Sequence, residues 1–439
     1  MKTAYDQAIE RIEAEPKDLQ DLAKKVLSWI TFAMLPLSVL ELRHALGVEI
    51  DEPYLDDDNI PEVEEMLSAC AGLVTINEES QIIRFVHNTT QEYFEQKLPS
   101  WIPGAQADIA NVCITYLSFD VFADASALLS NDLDRGRVLD ARMQDNVFLE
   151  YTSLFWGLHV RETYGTQIER RVIKFLREEA KVIQASFLVF GRITETGYPP
   201  KLDAGTDVGM HLAAWYGLAD IIESLIDSGC NADSKGLYNR TPLGRAVESG
   251  HKAVVELLLS QNVVDINSKN EYGYTPLARA VESGNKAVVE LLLSQNDVDI
   301  NSQNKYGFTP LARAVHGGHK AMVELLLSQN DVDINSKDKI GSTPLAWAVE
   351  FGNKAVVELL LSQDNIDVNS EDREGETPLM IAAFQGLMAI MQILLQHGGV
   401  NVNAKDHKGR TALNRAVECG HEAVVELLRE HNACATDLT

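Results

Sequence analysis

Residues 275–294 read TPLARAVESGNKAVVELLLS. Thr275 before Pro276 is a helix start. A threonine hydroxyl can accept from a free backbone N–H, and proline suits the first helical position because its missing N–H has no partner there. Gly284 ends that first helix. The run AVVELLL then places apolar residues at helical spacing and predicts a second. One such pair cannot bury its apolar face alone, but stacked copies can. The copies are present. Thr-Pro-Leu begins at Thr241, Thr275, Thr309, Thr343 and Thr377, and Thr-Ala-Leu at Thr411, each step 34 residues. A helix-ending glycine follows at Gly250, Gly284, Gly318, Gly352, Gly386 and Gly420. A weaker unit precedes them: Met210–Gly217 aligns with Leu243–Gly250 at an offset of 33. About seven units therefore run from about residue 205 to 435. The last is polar at Arg429, Glu430, His431 and Asn432, which suits a solvent-facing end.

These residues resemble the ankyrin repeat family, whose units run Asp-x-x-Gly-x-Thr-Pro-Leu-His-x-Ala-Ala. The extra residue per unit lies in the turn before Asp-Ile-Asn or Asp-Val-Asn, as at Asp299-Ile300-Asn301. The family's histidine after leucine is replaced by Gly244, Ala278, Ala312, Ala346, Met380 and Asn414. The resemblance gives that histidine a bond between units, so its loss predicts a less rigid stack.

The whole chain has 439 residues, which suggests about three domains. Hydrophobic residues make up 45% and charged residues 23%, a globular composition. Its net charge of −27 repels phosphate backbones and anionic membrane, so neither nucleic acid nor membrane is an expected partner. Five cysteines, Cys70, Cys113, Cys230, Cys419 and Cys434, lie at no metal-ligand spacing and predict reduced thiols. The longest apolar stretch, Val26–Leu40, is interrupted and too short to span a bilayer. No secretion signal is legible. A cytoplasmic or nuclear location and the absence of metal or cofactor are the expectation.

Residues 1–100 follow another pattern. A helix opens at Asp18 and stops at Pro36. Ser38-Val39-Leu40-Glu41 has capping-box spacing and opens a second, to about Leu46. Pro61 opens a third, ended by Gly72. Leu73–Ile76 and Gln81–Val86 flank the turn Asn77–Ser80 and read as a hairpin. A further helix starts at Thr89 or Thr90. Three helices and a hairpin is the winged-helix order. Its third helix begins with Glu62, Glu64 and Glu65 around Val63, a face that phosphate would repel.

Four segments here resemble fungal NACHT–ankyrin proteins, signal-transducing NTPases whose winged helix precedes sensor repeats. They are Ala23–Ile30, Leu40–Leu46, Cys70–Val74 and Phe85–Phe94. Residues 105–200 resemble that family's helical connector at Cys113–Asp120 and Trp156–His159. No Gly-x4-Gly-Lys-Ser/Thr loop occurs, so the NTPase module of that family is expected to be missing. The resemblance makes His87, in its Phe-x-His-x-Thr-x-Gln-Glu context, a phosphate sensor if an NTPase acts in trans.

The expected architecture is mainly α: a winged-helix module (1–100), a helical connector (101–204) and an ankyrin solenoid (205–439). The expected function is protein binding without catalysis, as scaffold or sensor arm. Candidate partner-binding residues are Tyr238, Tyr272, Tyr306 and Ile340 at one repeat position, and Tyr274 and Phe308 two residues later. In ankyrin folds these positions lie on exposed turn fingers, and tyrosine offers large contact area at small entropic cost. Packing between fingers is the competing role. Arg245, Arg279, Arg313 and Arg415, with Glu248, Glu282, Glu350 and Glu418 three residues later, predict a charge ladder. His316 and Trp347 interrupt it, and a local break in a repeated surface is where a specific partner can be read. Two alternatives stand beside this reading. One is a switch acting with an NTPase in trans. The other is an enzyme with a connector pocket lined by groups such as His159 and Tyr164.

Overall fold

Ser38 forms the capping box its spacing predicts. Its hydroxyl accepts from the Glu41 N–H at 3.2 Å, and the Glu41 carboxylate accepts from the Ser38 N–H at 2.8 Å. The computed structural model describes residues 4–129, 135–163, 166–191 and 206–433. Contacts divide it into two units, Met1–Tyr238 and Asn239–Thr439.

The first unit opens with α1 (Ala4–Glu13), α2 (Lys17–Phe32), α3 (Val39–Gly47) and α4 (Val63–Ala69). Strands β1 (Val74–Ile76) and β2 (Ile83–Phe85) pair antiparallel, with Val74 opposite Phe85. Helix α5 (Asn88–Trp101) follows. This is the winged-helix order. Val26, Leu27, Leu42, Met66 and Phe94 form its core, and Phe94 stacks on Phe85 at 5.3 Å. Helix α1, which no sequence signal announced, buries Ala8, Ile9 and Ile12. It also holds α5 through Tyr93 on Asp6 and Trp101 on Glu13.

The connector comprises α6 (Ala105–Leu117), α7 (Ser126–Leu129), α8 (Arg135–Asp145), α9 (Leu149–Arg161), α10 (Thr166–Leu176) and α11 (Glu179–Gly191). It is bound to the winged helix by polar contacts. Arg171 grips Asp51 with two nitrogens, at 2.5 and 2.8 Å. The Tyr151 hydroxyl accepts from the Met34 N–H at 3.0 Å. The first repeat, α12 (Val208–Tyr216) and α13 (Ala219–Asp227), belongs to this unit. Its Tyr216 hydroxyl donates to the Ser153 and Leu154 carbonyls, and its ring meets Trp156 edge-on at 5.1 Å.

The second unit is six helix pairs. The first helices are Pro242–Glu248, Pro276–Glu282, Pro310–His316, Pro344–Glu350, Pro378–Gln385 and Ala412–Glu418. Each opens on a threonine whose hydroxyl accepts from the N–H three residues on, at 3.2–3.4 Å. The second helices are Lys252–Leu259, Lys286–Leu293, Lys320–Leu327, Lys354–Leu361, Met388–Gln396 and Glu422–Glu430. The first five each bury a set equivalent to Val254, Val255 and Leu258, which stacking carries from repeat to repeat, and the last buries Val424 and Leu428.

Bonds between units occur in the turns, apart from the missing histidines. Asn267 donates its amide to the Asp297 carbonyl at 2.7 Å, and its amide oxygen accepts from the Asp299 N–H at 2.8 Å. Asn301, Asn335 and Asn369 repeat both bonds one unit along. The carbonyls they meet sit in the turn that carries the added residue. An asparagine ladder in the turns between units thus ties consecutive repeats, away from the positions of the missing histidine.

Candidate functional site

One surface column joins the repeats. It pairs the seventh residue after each opening threonine with the fourth after the next. Glu248 holds Arg279, and Glu282 holds both Arg279 and Arg313. Arg240 adds a second cation to Glu248 at 2.9 Å. At the other end Arg410 and Arg415 share Glu376 and Asp406. The predicted charge ladder therefore runs between units as well as within them. Its pairs are only partly exposed, so a partner left alone is costly. Glu282→Gln leaves two half-buried guanidiniums short of charge and should lower the stability of the second unit by about 2 kcal/mol. Urea unfolding of the full chain measures it, and a change below about 0.5 kcal/mol would show the ladder to be ornamental.

In the middle the charges give way to rings. His316 meets Trp347 at 5.8 Å and Phe351 at 4.8 Å, both edge-on. Trp347 stacks on Phe351 at 5.5 Å, and Phe308 closes the group 5.6 Å from Trp347. The indole N–H donates to Asp338 at 2.8 Å, which fixes the ring's rotation. Burial, then the Arg313 charge, hold the His316 imidazolium below its usual range against the opposing pull of Glu282. The imidazole is thus neutral at neutral pH and packs as an aromatic ring. Phe351 remains 49% exposed and His316 lies open beside it.

The predicted finger residues divide into separate roles. Tyr238 is 4% exposed, a correction to its expected place on an open finger. The glycine that follows this position in later fingers, such as Gly307, is here Asn239, and both Tyr238 and Asn239 take left-handed backbone. Asn239 keeps the left-handed backbone of Gly273, Gly307 and Gly341, so the first finger differs at Tyr238 itself, which is left-handed where Tyr272, Tyr306 and Ile340 are not, and is buried. Tyr272 is half-buried, while Tyr306 and Ile340 are 54% and 52% exposed. Their backbones are stitched: the Tyr272, Tyr306 and Ile340 carbonyls accept from Lys305, Lys339 and Arg373 of the next finger, at 2.9–3.0 Å. Tyr274 lies beneath the guanidiniums of Arg279 and Arg313, at 5.8 and 5.7 Å. Of the residues singled out from the sequence, Phe308, His316 and Trp347 meet in the ring cluster. Phe351 and the half-exposed Phe384 were missed. The signal was available: Phe351 stands where other repeats have Ser249, Ser283, Gly317 or Cys419, and Phe384 where most have glutamate or histidine.

His87 caps the start of α5 through its carbonyl, which accepts from the Thr90 N–H at 3.0 Å, and its side chain is exposed. His159 is fully buried. Its Nε2 accepts from the Tyr151 hydroxyl at 2.8 Å, and its Nδ1–H donates to the Gln106 amide oxygen at 2.9 Å. Burial pushes its pKa down to about 4. Both nitrogens are engaged inside a core, so His159 lines no open pocket. Tyr164, its expected companion, lies outside the described residues. No single helix among the described residues is long and apolar enough to cross a membrane.

A family model described as ankyrin repeats matches residues 210–304, 295–372 and 365–438. A second, described as the winged helix domain of GPI inositol-deacylase, matches residues 11–111. Human Rabankyrin-5 is 33% identical over 58 residues, which are 13% of this chain and 5% of that protein. The chain thus matches only a small part of that relative's length. Two solved structures are similar across half of this chain. The ankyrin repeat domain of Bcl-3, described as a unique member of the IkappaB protein family, is 27% identical, with a TM-score of 0.46 and 97% of its own length covered. The human ASB11 ankyrin repeat domain is 28% identical, with a TM-score of 0.42 and 96% covered.

Proposed function

The chain belongs to the ankyrin-repeat family, and we propose that it is a non-catalytic protein-binding arm of a NACHT–ankyrin-type signalling protein, working in the cytoplasm. The repeats bind the partner on the face formed by their first helices. The observation that carries this reading is the half-exposed ring cluster of Phe308, His316, Trp347 and Phe351. Large rings on a stitched scaffold lose little entropy on binding, and tryptophan is enriched at binding hot spots. Charged ladder rungs on either side supply a polar rim. The winged helix, in this reading, meets an NTPase in trans, with exposed His87 at the contact.

The test is a paired capture and affinity measurement with the intact chain and with Trp347→Ala/Phe351→Ala. Folding of both is checked by circular dichroism. The captured protein should bind the double variant about 30-fold more weakly, while Tyr306→Ala/Ile340→Ala costs less. A partner that binds the folded cluster variant as tightly as the intact chain would remove the cluster from the interface.

A further inference from the structure

The column of cross-repeat pairs has one vacancy. Glu248 faces Arg279 and Glu282 faces Arg313, as ion pairs. His316 faces Trp347 as a ring pair at 5.8 Å. Phe384 faces Arg415, whose guanidinium lies 5.2 Å from the ring. Between these, Glu350 faces Ile381, which brings no charge. Its own helix holds Trp347 where Arg279 pairs with Glu282. Glu350 has thus lost both the arginine of its own repeat and that of the next. Among the described residues no cation lies within ion-pair distance of its carboxylate, and the side chain is exposed. Trp347 is on the same helix, and the half-exposed Phe351 caps its end.

We propose that this vacancy seats a cationic side chain, arginine or lysine, from a basic segment of the protein partner. The inference rests on the binding-face reading above and names the chemistry of its occupant. The chain itself supplies the pattern. At neighbouring rungs a guanidinium sits between a carboxylate and a ring: Arg313 contacts Glu282 while lying 5.9 Å from the Phe308 ring. At Glu350 the carboxylate and rings are present and the guanidinium is missing. A cation arriving from outside completes the rung through charge and ring quadrupole together. The net charge of −27 also steers a basic segment towards this chain rather than away.

Fluorescence anisotropy of the full chain with the labelled peptide GLRLRLG tests the seat, with the same peptide carrying citrulline for arginine as the neutral isostere. The arginine peptide should bind about tenfold more tightly than the citrulline peptide at physiological ionic strength. Glu350→Gln, at an exposed position, should erase that difference. Trp347→Arg should erase it too, because it restores the residue that Arg279, Arg313 and Arg415 occupy and satisfies Glu350 from within. Equal binding of the two peptides, no saturable binding of the arginine peptide, or an unchanged preference in Glu350→Gln would each overturn the proposal. The two readings fail separately. A captured partner lost by Trp347→Ala/Phe351→Ala but kept by Glu350→Gln leaves the binding face standing and removes the cation seat.

Discussion

Replacing Gly157 by alanine should destabilise the first unit by about 3 kcal/mol. A methyl group at Gly157 would lie 2.2 Å from Cγ of Tyr216 and 2.3 Å from Cδ2. That ring has nowhere to go. It is buried, bonded through its hydroxyl to the Ser153 and Leu154 carbonyls, and set edge-on against the fully buried Trp156. Trp156 in turn meets Phe175 at 5.5 Å. The extra carbon must displace α12 from α9, and with it the seat of the first repeat. Urea unfolding followed through the near-ultraviolet circular dichroism of the tryptophans measures the loss. Gly136→Ala is the matched control, since its added methyl meets nothing within 4 Å. It should be neutral or stabilising by up to about 1 kcal/mol. Equal stabilities for the two variants would mean that α9 and α12 are not closely packed.

Acid should weaken the same core. Burial lowers the pKa of His159 from 6.5 to about 4. The unfolded chain therefore takes up this proton before the folded one does. Stability is full above pH 6.5 and falls as the pH drops towards 4, by about 3 kcal/mol from this group. His44, whose pKa burial also lowers, adds to the loss with the same sign. His159→Gln cannot titrate in this window. Its stability should start lower, because the bonds to Tyr151 and Gln106 are disturbed, and then change less between pH 6.5 and 4 than that of the intact chain. Parallel pH profiles for the two proteins would contradict the assignment of a neutral imidazole held between Tyr151 and Gln106.

Much of this molecule was legible before any coordinates, and what was legible is local. The Ser38 capping box and the six threonine caps each depend on residues within one turn, and each forms as its spacing predicts. The segment Trp156–His159 shows the limit. Its residues could be matched to a family pattern, but their work could not be read. Trp156 and Gly157 receive Tyr216, about sixty positions later, and His159 bonds Gln106, which lies 53 positions earlier. The finger tyrosines show the same limit. Tyr238, Tyr272 and Tyr306 occupy one repeat position, and their burial still differs: Tyr238 alone of the three has left-handed backbone and is buried.

By itself the sequence determined the repeat period, the helix starts and stops, the winged-helix order and the Arg279–Glu282 rung of the charge ladder, because caps, hydrophobic spacing and i,i+3 pairs act between near neighbours in the chain. Tertiary structure alone decided which residues face one another across the stack. Positions 31 to 34 apart meet only when helix pairs pack side by side. That packing drew Phe308, His316, Trp347 and Phe351 into one cluster, buried Tyr238, and left Glu350 with no ion-pair partner among the described residues.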